Sequence, residues 1–262
     1  MVNVAKFFAI VACSLMGQSA LAARPIIVAV IDTGINPTLA KSNVLCKFGH
    51  RDFTQTSLTD TVGHGSHISG LIDQYVKDDV LDEHKTVTIA TKPNYCQVII
   101  KFYDSNMPKD MTTTATMIKA IRWAIDINVD VINISAGGEL PNSEESDLVR
   151  TALDKGIKIV AAAGNDGCEL GTFSLKKVGL NFKTVQCRYY PAMYDQRITV
   201  VGNLCSDMTR APSSNYGFYV NSWENGVDRT SYGVGSSLNI SSGTSQATAI
   251  KTGKIVRSLL KH

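Results

Sequence analysis

An apolar run that ends in an acidic turn sets the architecture of this chain: Ile26-Ile27-Val28-Ala29-Val30-Ile31-Asp32-Thr33-Gly34. A short unbroken apolar run suits a strand buried on both faces of a parallel sheet better than an alternating edge strand. The same signature recurs at residues 98–102, 129–134 and 157–163, and a further strand is expected at residues 198–201. The sequence therefore predicts a set of buried parallel strands.

Helical patterns lie between these runs. Residues 117–128 carry apolar side chains at spacings of three and four, as a helix requires. Asn142 with Glu145 is typical of a capping box at a helix start, and Gly156 stands where helices commonly end. Because strands alternate with helices, we expect crossover connections and a three-layer α/β fold, with a mainly parallel sheet and helices on both faces.

Composition narrows the functional classes. The chain has 262 residues, of which 44% are hydrophobic and 19% charged, and its formal charge is +3. This balance excludes a disordered chain, a collagen-like chain and a multi-span membrane protein. The basic residues are scattered, so we expect no nucleic-acid partner. No Pro/Gly/Ser-rich linker divides the chain, so we expect one domain over residues 23–262.

The N-terminus has the pattern of a signal peptide. Lys6 precedes an uncharged run over residues 7–23, and Ala20-Leu21-Ala22 has the small residues that precede a cleavage site. We expect cleavage after Ala22, no stable membrane insertion afterwards, and a secreted or periplasmic location. An uncleaved anchor is the alternative, since the run is borderline for spanning a bilayer. Export implies an oxidising compartment.

Polar residues follow three of the predicted strands: Asp32, residues 135–137 and Gly164-Asn165. In parallel α/β sheets the ligand site lies outside the carboxyl ends of the strands, so these segments are expected to meet on one rim. Asp32 alone is ambiguous, because an aspartate in a turn is usually structural. Aspartic-protease chemistry would need a second Asp-Thr-Gly or Asp-Ser-Gly motif, which the sequence lacks.

Two further segments carry reactive side chains. Gly63-His64-Gly65-Ser66-His67 places an accessible imidazole where a helix begins, and Gly243-Thr244-Ser245 opens another helix. A serine there lies beside unpaired amide groups that can stabilise an oxyanion, although a plain N-cap serine is common. Two histidines three apart also fit a metal site, but no further ligand has suitable spacing nearby.

In the order Asp32, His64, Ser245, these segments resemble those of the subtilisin-like serine peptidases. The resemblance covers the chain from about residue 26 to its end. The matching blocks are Val30-Ile31-Asp32-Thr33-Gly34, Gly63-His64-Gly65-Ser66-His67, Val131-Ile132-Asn133-Ile134-Ser135-Ala136-Gly137-Gly138, Ala161-Ala162-Ala163-Gly164-Asn165 and Gly243-Thr244-Ser245, with a looser match at Ser213-Ser214-Asn215-Tyr216-Gly217.

The resemblance implies a subtilisin-like fold and an exported serine endopeptidase acting on peptides or proteins. Ser245 would attack the peptide carbonyl, His64 would pass its proton to the leaving amine, and Asp32 would orient the imidazole. Asn165 would donate its side-chain amide to the oxyanion, together with the backbone N–H of Ser245.

The substrate-binding residues implied by the family are Ser135, Ala136, Gly137 and Gly164, along which an extended substrate would add as an antiparallel strand. Leucine is common in the family at the place of Ala136, so this side of the specificity pocket would differ. The family's calcium-binding loops are not recognisable, and we expect no metal and no cofactor. Departures such as Ala249, where proline is usual, keep a non-catalytic or weakly active subtilisin-like binding protein as the alternative.

Removal of the signal peptide leaves five cysteines. Cys168 and Cys187 bracket a polar segment directly after Gly164-Asn165, and we expect them to form a disulfide. The family's strand order places Cys46 beside Cys96, which implies a second bridge. Cys205 would remain a free buried thiol. The alternative is that all five are small buried apolar residues in a reducing compartment.

Only a short segment separates the predicted cleavage site from Asp32. Subtilisin-like enzymes typically carry an inhibitory prodomain in this place, and the segment is far too short to fold alone. We therefore expect folding without a covalent prodomain, and control by a separate protein inhibitor, by location or by weak intrinsic activity.

Overall fold

The computed structural model describes residues 24–41, 44–77, 93–178 and 181–261. The predicted signal peptide, residues 1–22, lies outside the described residues, as does the first residue of the predicted domain. The strands are β1 (Ile26–Asp32), β2 (Arg51–Asp52), β3 (Tyr95–Lys101), β4 (Val131–Ile134), β5 (Lys158–Ala162), β6 (Phe173–Val178), β7 (Asn181–Gln186), β8 (Thr199–Leu204), β9 (Ser222–Asn225), β10 (Arg229–Tyr232) and β11 (Leu238–Ser241). The helices are α1 (Pro37–Ala40), α2 (His64–Lys77), α3 (Thr113–Asp126), α4 (Ser143–Asp154) and α5 (Thr244–Leu259).

Seven of the described strands form one sheet in the order β2-β3-β1-β4-β5-β8-β9, and each neighbouring pair is parallel. Strand β1 lies inside the sheet, where Val30 is in register with Ile99 of β3 and Asn133 of β4. Two antiparallel ribbons, β6–β7 and β10–β11, lie outside this sheet. The predicted mainly parallel sheet is confirmed.

The side chains of β1 divide the core into two halves, because successive residues of a strand point to opposite faces. Ile27, Ala29 and Ile31 pack with apolar residues of α3 and α4. Val28 and Val30 pack on the other face with residues of α2 and α5. Burial of one such side chain contributes about 1.5–3 kcal/mol. The predicted three-layer arrangement, with helices on both faces, is confirmed.

The capping box at α4 forms in a modified way. The Asn142 side chain accepts a hydrogen bond from the Glu145 N–H at 3.0 Å, as the sequence predicts. In an ordinary capping box the Glu145 carboxylate would accept directly from the Asn142 N–H. Here the Tyr194 hydroxyl lies between them: it accepts from the Asn142 N–H and donates to the Glu145 carboxylate. Gly156, at φ +81°, follows the end of the helix, where its N–H bonds to the Leu153 carbonyl.

Several predicted boundaries shift by a few residues. The run at residues 98–102 belongs to a strand that begins at Tyr95, because Tyr95 pairs with Ile26 at the start of β1. The runs at residues 129–134 and 157–163 extend beyond β4 and β5, since Val129 and Ile157 are buried in the connecting segments. Helix α3 covers residues 113–126 instead of 117–128, and Thr112 caps its start.

The structure contains both expected disulfides, Cys46–Cys96 and Cys168–Cys187, whose Cα atoms are 4.9 Å and 6.0 Å apart. Cys205 is a free thiol, as expected, but it is only half-buried. It follows the end of β8 and enters a surface turn, in which its N–H bonds to the Thr209 carbonyl. Among the described helices, none has the length and apolar character that crossing a bilayer requires.

Replacing Cys168 and Cys187 together by alanine should lower the free energy of unfolding by about 3 kcal/mol, because the bridge joins residues 19 apart and restricts the unfolded chain. Urea denaturation followed by circular dichroism measures the change. Cys205→Ala is the control, and its effect should stay below about 1 kcal/mol, since its thiol lies at a surface turn. A double variant as stable as the control would contradict the prediction.

Candidate active site

Asp32 is the last residue of β1, and it is almost fully buried, with 1% of the residue exposed. Its Oδ1 accepts a hydrogen bond from the Nδ1–H of His64 at 2.7 Å and another from the Thr33 N–H at 2.8 Å. Its Oδ2 is buried and has no hydrogen-bond partner within the described parts of the chain. The carboxylate therefore holds one nitrogen of the imidazole. The other nitrogen, Nε2, bonds to none of the described residues.

Asp60 anchors the start of α2 to the end of β1, although the sequence does not predict it for the site. Its carboxylate accepts hydrogen bonds from the Thr33 hydroxyl at 2.9 Å and the Gly63 N–H at 2.7 Å. It also accepts from the N–H and hydroxyl of Ser66, at 2.8 Å and 2.6 Å. Burial raises the pKa of Asp60, but these bonds outweigh it and hold the pKa below its usual value. An acidic residue just before a helix is the signal that could have identified it.

Glycines allow α2 to approach the Asp32 turn closely. A methyl group placed on Gly65 would lie 2.5 Å from the carbonyl oxygen of Gly34, which is too close for any side chain. Gly63 adopts φ +92°, a left-handed conformation that favours glycine. The residues on either side of His64 thus bring its imidazole against Asp32.

Opposing effects set the protonation of His64. Burial lowers the pKa of its imidazole, but the charge and hydrogen bond of Asp32, together with the charge of Asp60, raise it more. The pKa of His64 therefore lies above its ordinary value. The imidazole accordingly holds a proton to a higher pH than a free histidine does.

His67 performs a different task from His64. It is 2% exposed, and its Nε2–H donates to the carbonyl oxygens of Arg229 in β10 and Asn239 in β11, at 3.0 Å and 3.2 Å. Burial lowers its pKa, which favours the neutral ring. The hydrogen bonds of His67 therefore connect the β10–β11 ribbon to α2. No group of three or more potential metal-binding His, Cys, Asp or Glu side chains occurs among the described residues.

Ser245 lies in the first turn of α5 and exchanges hydrogen bonds with Ser135. The Ser245 hydroxyl donates to the Ser135 carbonyl oxygen at 2.9 Å, and the Ser135 hydroxyl donates to the Ser245 carbonyl oxygen at 3.0 Å. In the described structure no hydrogen bond joins Ser245 to His64. The nucleophile predicted from the sequence is therefore turned toward β4 in this conformation.

Asn165 is oriented by Thr244, which the sequence does not predict for the site. The Asn165 Oδ1 accepts from the N–H and the hydroxyl of Thr244, at 2.9 Å and 3.1 Å. The Gly164 N–H donates to the same hydroxyl at 3.2 Å. With its oxygen occupied, the Asn165 side chain presents its amide Nδ2 as a donor beside the first turn of α5.

The expected rim forms because β1, β4 and β5 are neighbours in the sheet. Asp32 ends β1, Ser135 follows β4, and Gly164 follows β5 after one residue. Asn215, in the loosely matching motif, supports Gly164: its N–H donates to the Gly164 carbonyl, and its side chain bonds to the backbone of residues 163, 166 and 168. The residues predicted for catalysis and substrate binding therefore lie at one edge.

The chain is similar to known proteins over most of its length. The family model described as the subtilase family matches residues 23–260. Subtilisin NAT of Bacillus subtilis subsp. natto is 30% identical over 235 residues, which cover 90% of this chain and 55% of the relative. Subtilisin of Bacillus pumilus is 30% identical over 235 residues, which cover 90% of this chain and 77% of the relative. The chain thus spans about half the length of several curated relatives that it matches.

A solved structure also matches. A cold-adapted subtilisin-like serine proteinase aligns with a TM-score of 0.66 and 24% identity, over 91% of this chain and 77% of that protein. At this identity the likeness shows the shared fold alone.

Replacing Asp32 by asparagine should lower the pKa of His64, because burial then acts without the charge that offsets it. NMR titration of the imidazole protons measures the shift. We expect a wild-type pKa above about 6.5 and a clearly lower value in the variant. Asp207→Asn, which removes an exposed carboxylate at a surface turn, should leave the His64 titration unchanged. An Asp32→Asn variant with the wild-type pKa would contradict this account.

Proposed function

The chain belongs to the subtilase family, and from this membership we propose that it is a serine endopeptidase that hydrolyses peptide bonds through an acyl-enzyme. The hydrogen bond between Asp32 Oδ1 and His64 Nδ1 carries the proposal. It selects the tautomer in which Nε2 can accept a proton. It lies on the same rim as Ser245 and Asn165, which supply a nucleophile and an oxyanion donor.

The first chemical step needs a turn of the Ser245 hydroxyl. It leaves the Ser135 carbonyl and donates to His64 Nε2, which takes the proton as the oxygen attacks the peptide carbonyl carbon. The buried carboxylate of Asp32 stabilises the imidazolium that forms. His64 then protonates the departing amine, and water hydrolyses the acyl-enzyme by the same route.

The oxyanion of the tetrahedral intermediate is stabilised by two donors, the Asn165 amide and the Ser245 backbone N–H. Thr244 supports this role because it holds the opposite end of the Asn165 side chain with two hydrogen bonds. The start of α5 adds the positive end of a helix dipole at the same place. Charge developing on the carbonyl oxygen therefore meets groups that are already oriented.

Ser135 and Gly137 are the residues whose backbone pairs with a substrate strand. Gly138 exchanges two backbone hydrogen bonds with Tyr190, at 3.0 Å and 2.8 Å, so its polar groups are occupied. Alternate residues of an extended strand present their backbone groups to opposite edges. The backbone N–H and C=O groups of Ser135 and Gly137 are therefore expected on the edge opposite to Tyr190, and the Ser135 carbonyl on that edge accepts the Ser245 hydroxyl.

We also propose export. The signal-peptide pattern and the two disulfides support it, since disulfides persist in oxidising compartments. Control by a separate protein inhibitor stays a prediction. The alternative of a weakly active or non-catalytic binding protein is favoured by the Ser245–Ser135 hydrogen bond, which keeps the hydroxyl away from His64.

Labelling with a fluorophosphonate probe separates these alternatives. The wild-type protein should react at Ser245, because the probe requires an activated serine, and Ser245→Ala should not be labelled. Ser242→Ala is the matched control: it removes an exposed hydroxyl three residues away and should label like the wild type. Equal labelling of the wild type and Ser245→Ala would contradict the assignment of Ser245 as the nucleophile. Absence of labelling in the wild type would favour a binding protein.

Asn165→Asp should lower kcat by at least about 10²–10³, because aspartate keeps an acceptor for Thr244 but removes the amide donor. That magnitude was measured for such a donor in a subtilisin and is carried over here. Steady-state kinetics on a peptide substrate gives the value, with KM expected to change little. A kcat close to that of the wild type would show that Asn165 does not stabilise the transition state.

A further inference from the structure

The ring of Tyr189 fills the gap between the segments that follow β4 and β5. A methyl group on Gly137 would lie 2.5 Å from its Cε1 and 2.8 Å from its Cζ. A methyl group on Gly164 would lie 2.8 Å from its Cδ2 and 2.9 Å from its Cγ. These atom pairs are on opposite edges of the ring, so the ring spans the gap from one glycine to the other.

The chain is held on both sides of Tyr189. Cys187, two residues before it, is bonded to Cys168 in the segment after Asn165. Tyr190, directly after it, is bound to Gly138 through two backbone hydrogen bonds. The Tyr189 N–H itself donates to the Met193 sulfur at 3.3 Å. These restraints fix the backbone on both sides of Tyr189, and the close approach to Gly137 and Gly164 leaves the ring lying between the two glycines.

The same gap receives a substrate side chain in the proposed reaction. The substrate strand runs along Ser135 and Gly137, and the attacked carbonyl lies between Ser245 and Asn165. Asn165 directly follows Gly164. Side chains stand roughly perpendicular to the plane of a paired strand. Of the two faces of the substrate strand, we infer that the side chain on the amino side of the scissile bond points to the face with Gly137 and Gly164, because the attacked carbonyl lies beside Asn165, and on this face it meets the Tyr189 ring.

We propose that Tyr189 is a specificity-determining residue that restricts the amino side of the scissile bond to small side chains such as glycine, alanine and serine. This inference rests on the proposed function and names the substrate class of the same site. The ring takes the volume that a bulky side chain would need, and a packed site accommodates extra volume only at a cost.

The restriction is steric. Burial, together with the charge of Asp166, raises the pKa of Tyr189 to about 12. The phenol therefore stays neutral across the neutral range of pH, and it places no charge in the gap. The preference for small side chains should accordingly be the same on both sides of neutrality.

The test compares two peptide substrates that differ only in alanine or phenylalanine before the scissile bond. Wild-type protein should cleave the alanine peptide with a kcat/KM at least about 100-fold above that of the phenylalanine peptide. Tyr189→Ala should reduce this ratio by at least about 10-fold, because the gap opens. Tyr189→Phe is the matched control, since it keeps the ring and removes only the hydroxyl, and its ratio should stay at the wild-type value.

Fluorophosphonate labelling of the same preparations distinguishes failure of the proposed function from failure of the inference on Tyr189. A wild-type protein that is not labelled overturns the proposed function and this inference with it. A labelled wild type that cleaves the phenylalanine peptide as well as the alanine peptide overturns the inference alone, whether or not Tyr189→Ala folds. A labelled Tyr189→Ala variant whose ratio of kcat/KM for the two peptides equals that of the wild type also overturns the inference alone.

Discussion

The buried carboxylate of Asp60 is the constraint on which the geometry of the proposed active site depends. It binds Thr33, the neighbour of Asp32, and at the same time Gly63 and Ser66, which flank His64. The end of β1 and the start of α2 are therefore held by one charged group with its hydrogen bonds satisfied. Removing such partners from a buried charge is costly, often several kcal/mol, which makes the arrangement rigid. Asp32 and His64 meet because their neighbours are tied together.

The second half of the site is positioned by packing. Helices α2 and α5 lie on the same face of the sheet and share one apolar core. They approach so closely that a methyl group on Gly253 would lie 2.8 Å from the Ile72 carbonyl oxygen. This contact sets the distance between the helix that carries His64 and the helix that carries Ser245. The links from Thr244 to Asn165 and from Ser245 to Ser135 then join α5 to the ends of β5 and β4.

The segment between β7 and β8 adds selectivity to this common framework. One disulfide and one pair of backbone hydrogen bonds fix the residues on either side of Tyr189. Neither contact involves Asp32, His64 or Ser245. The residue that occupies the gap between Gly137 and Gly164 can thus vary without disturbing the reacting groups, and the site can differ in selectivity while its chemistry is retained.

Local patterns in the sequence were enough to predict the parallel sheet, the helices on both faces, the rim that brings Asp32, Ser135 and Gly164 together, and the Cys168–Cys187 pairing. The Cys46–Cys96 pairing and the place of Ser245 beside Asp32 came from the family resemblance. Hydrophobic periodicity, capping residues and motif order carry this information because they depend on short stretches of chain. The partners of Asp60 and His67, the hydrogen bond from Ser245 to Ser135 and the placement of the Tyr189 ring were decided only by the folded chain. Most of these contacts join residues that are far apart in sequence, and the turn of one hydroxyl depends on all its neighbours at once. No local pattern encodes such contacts.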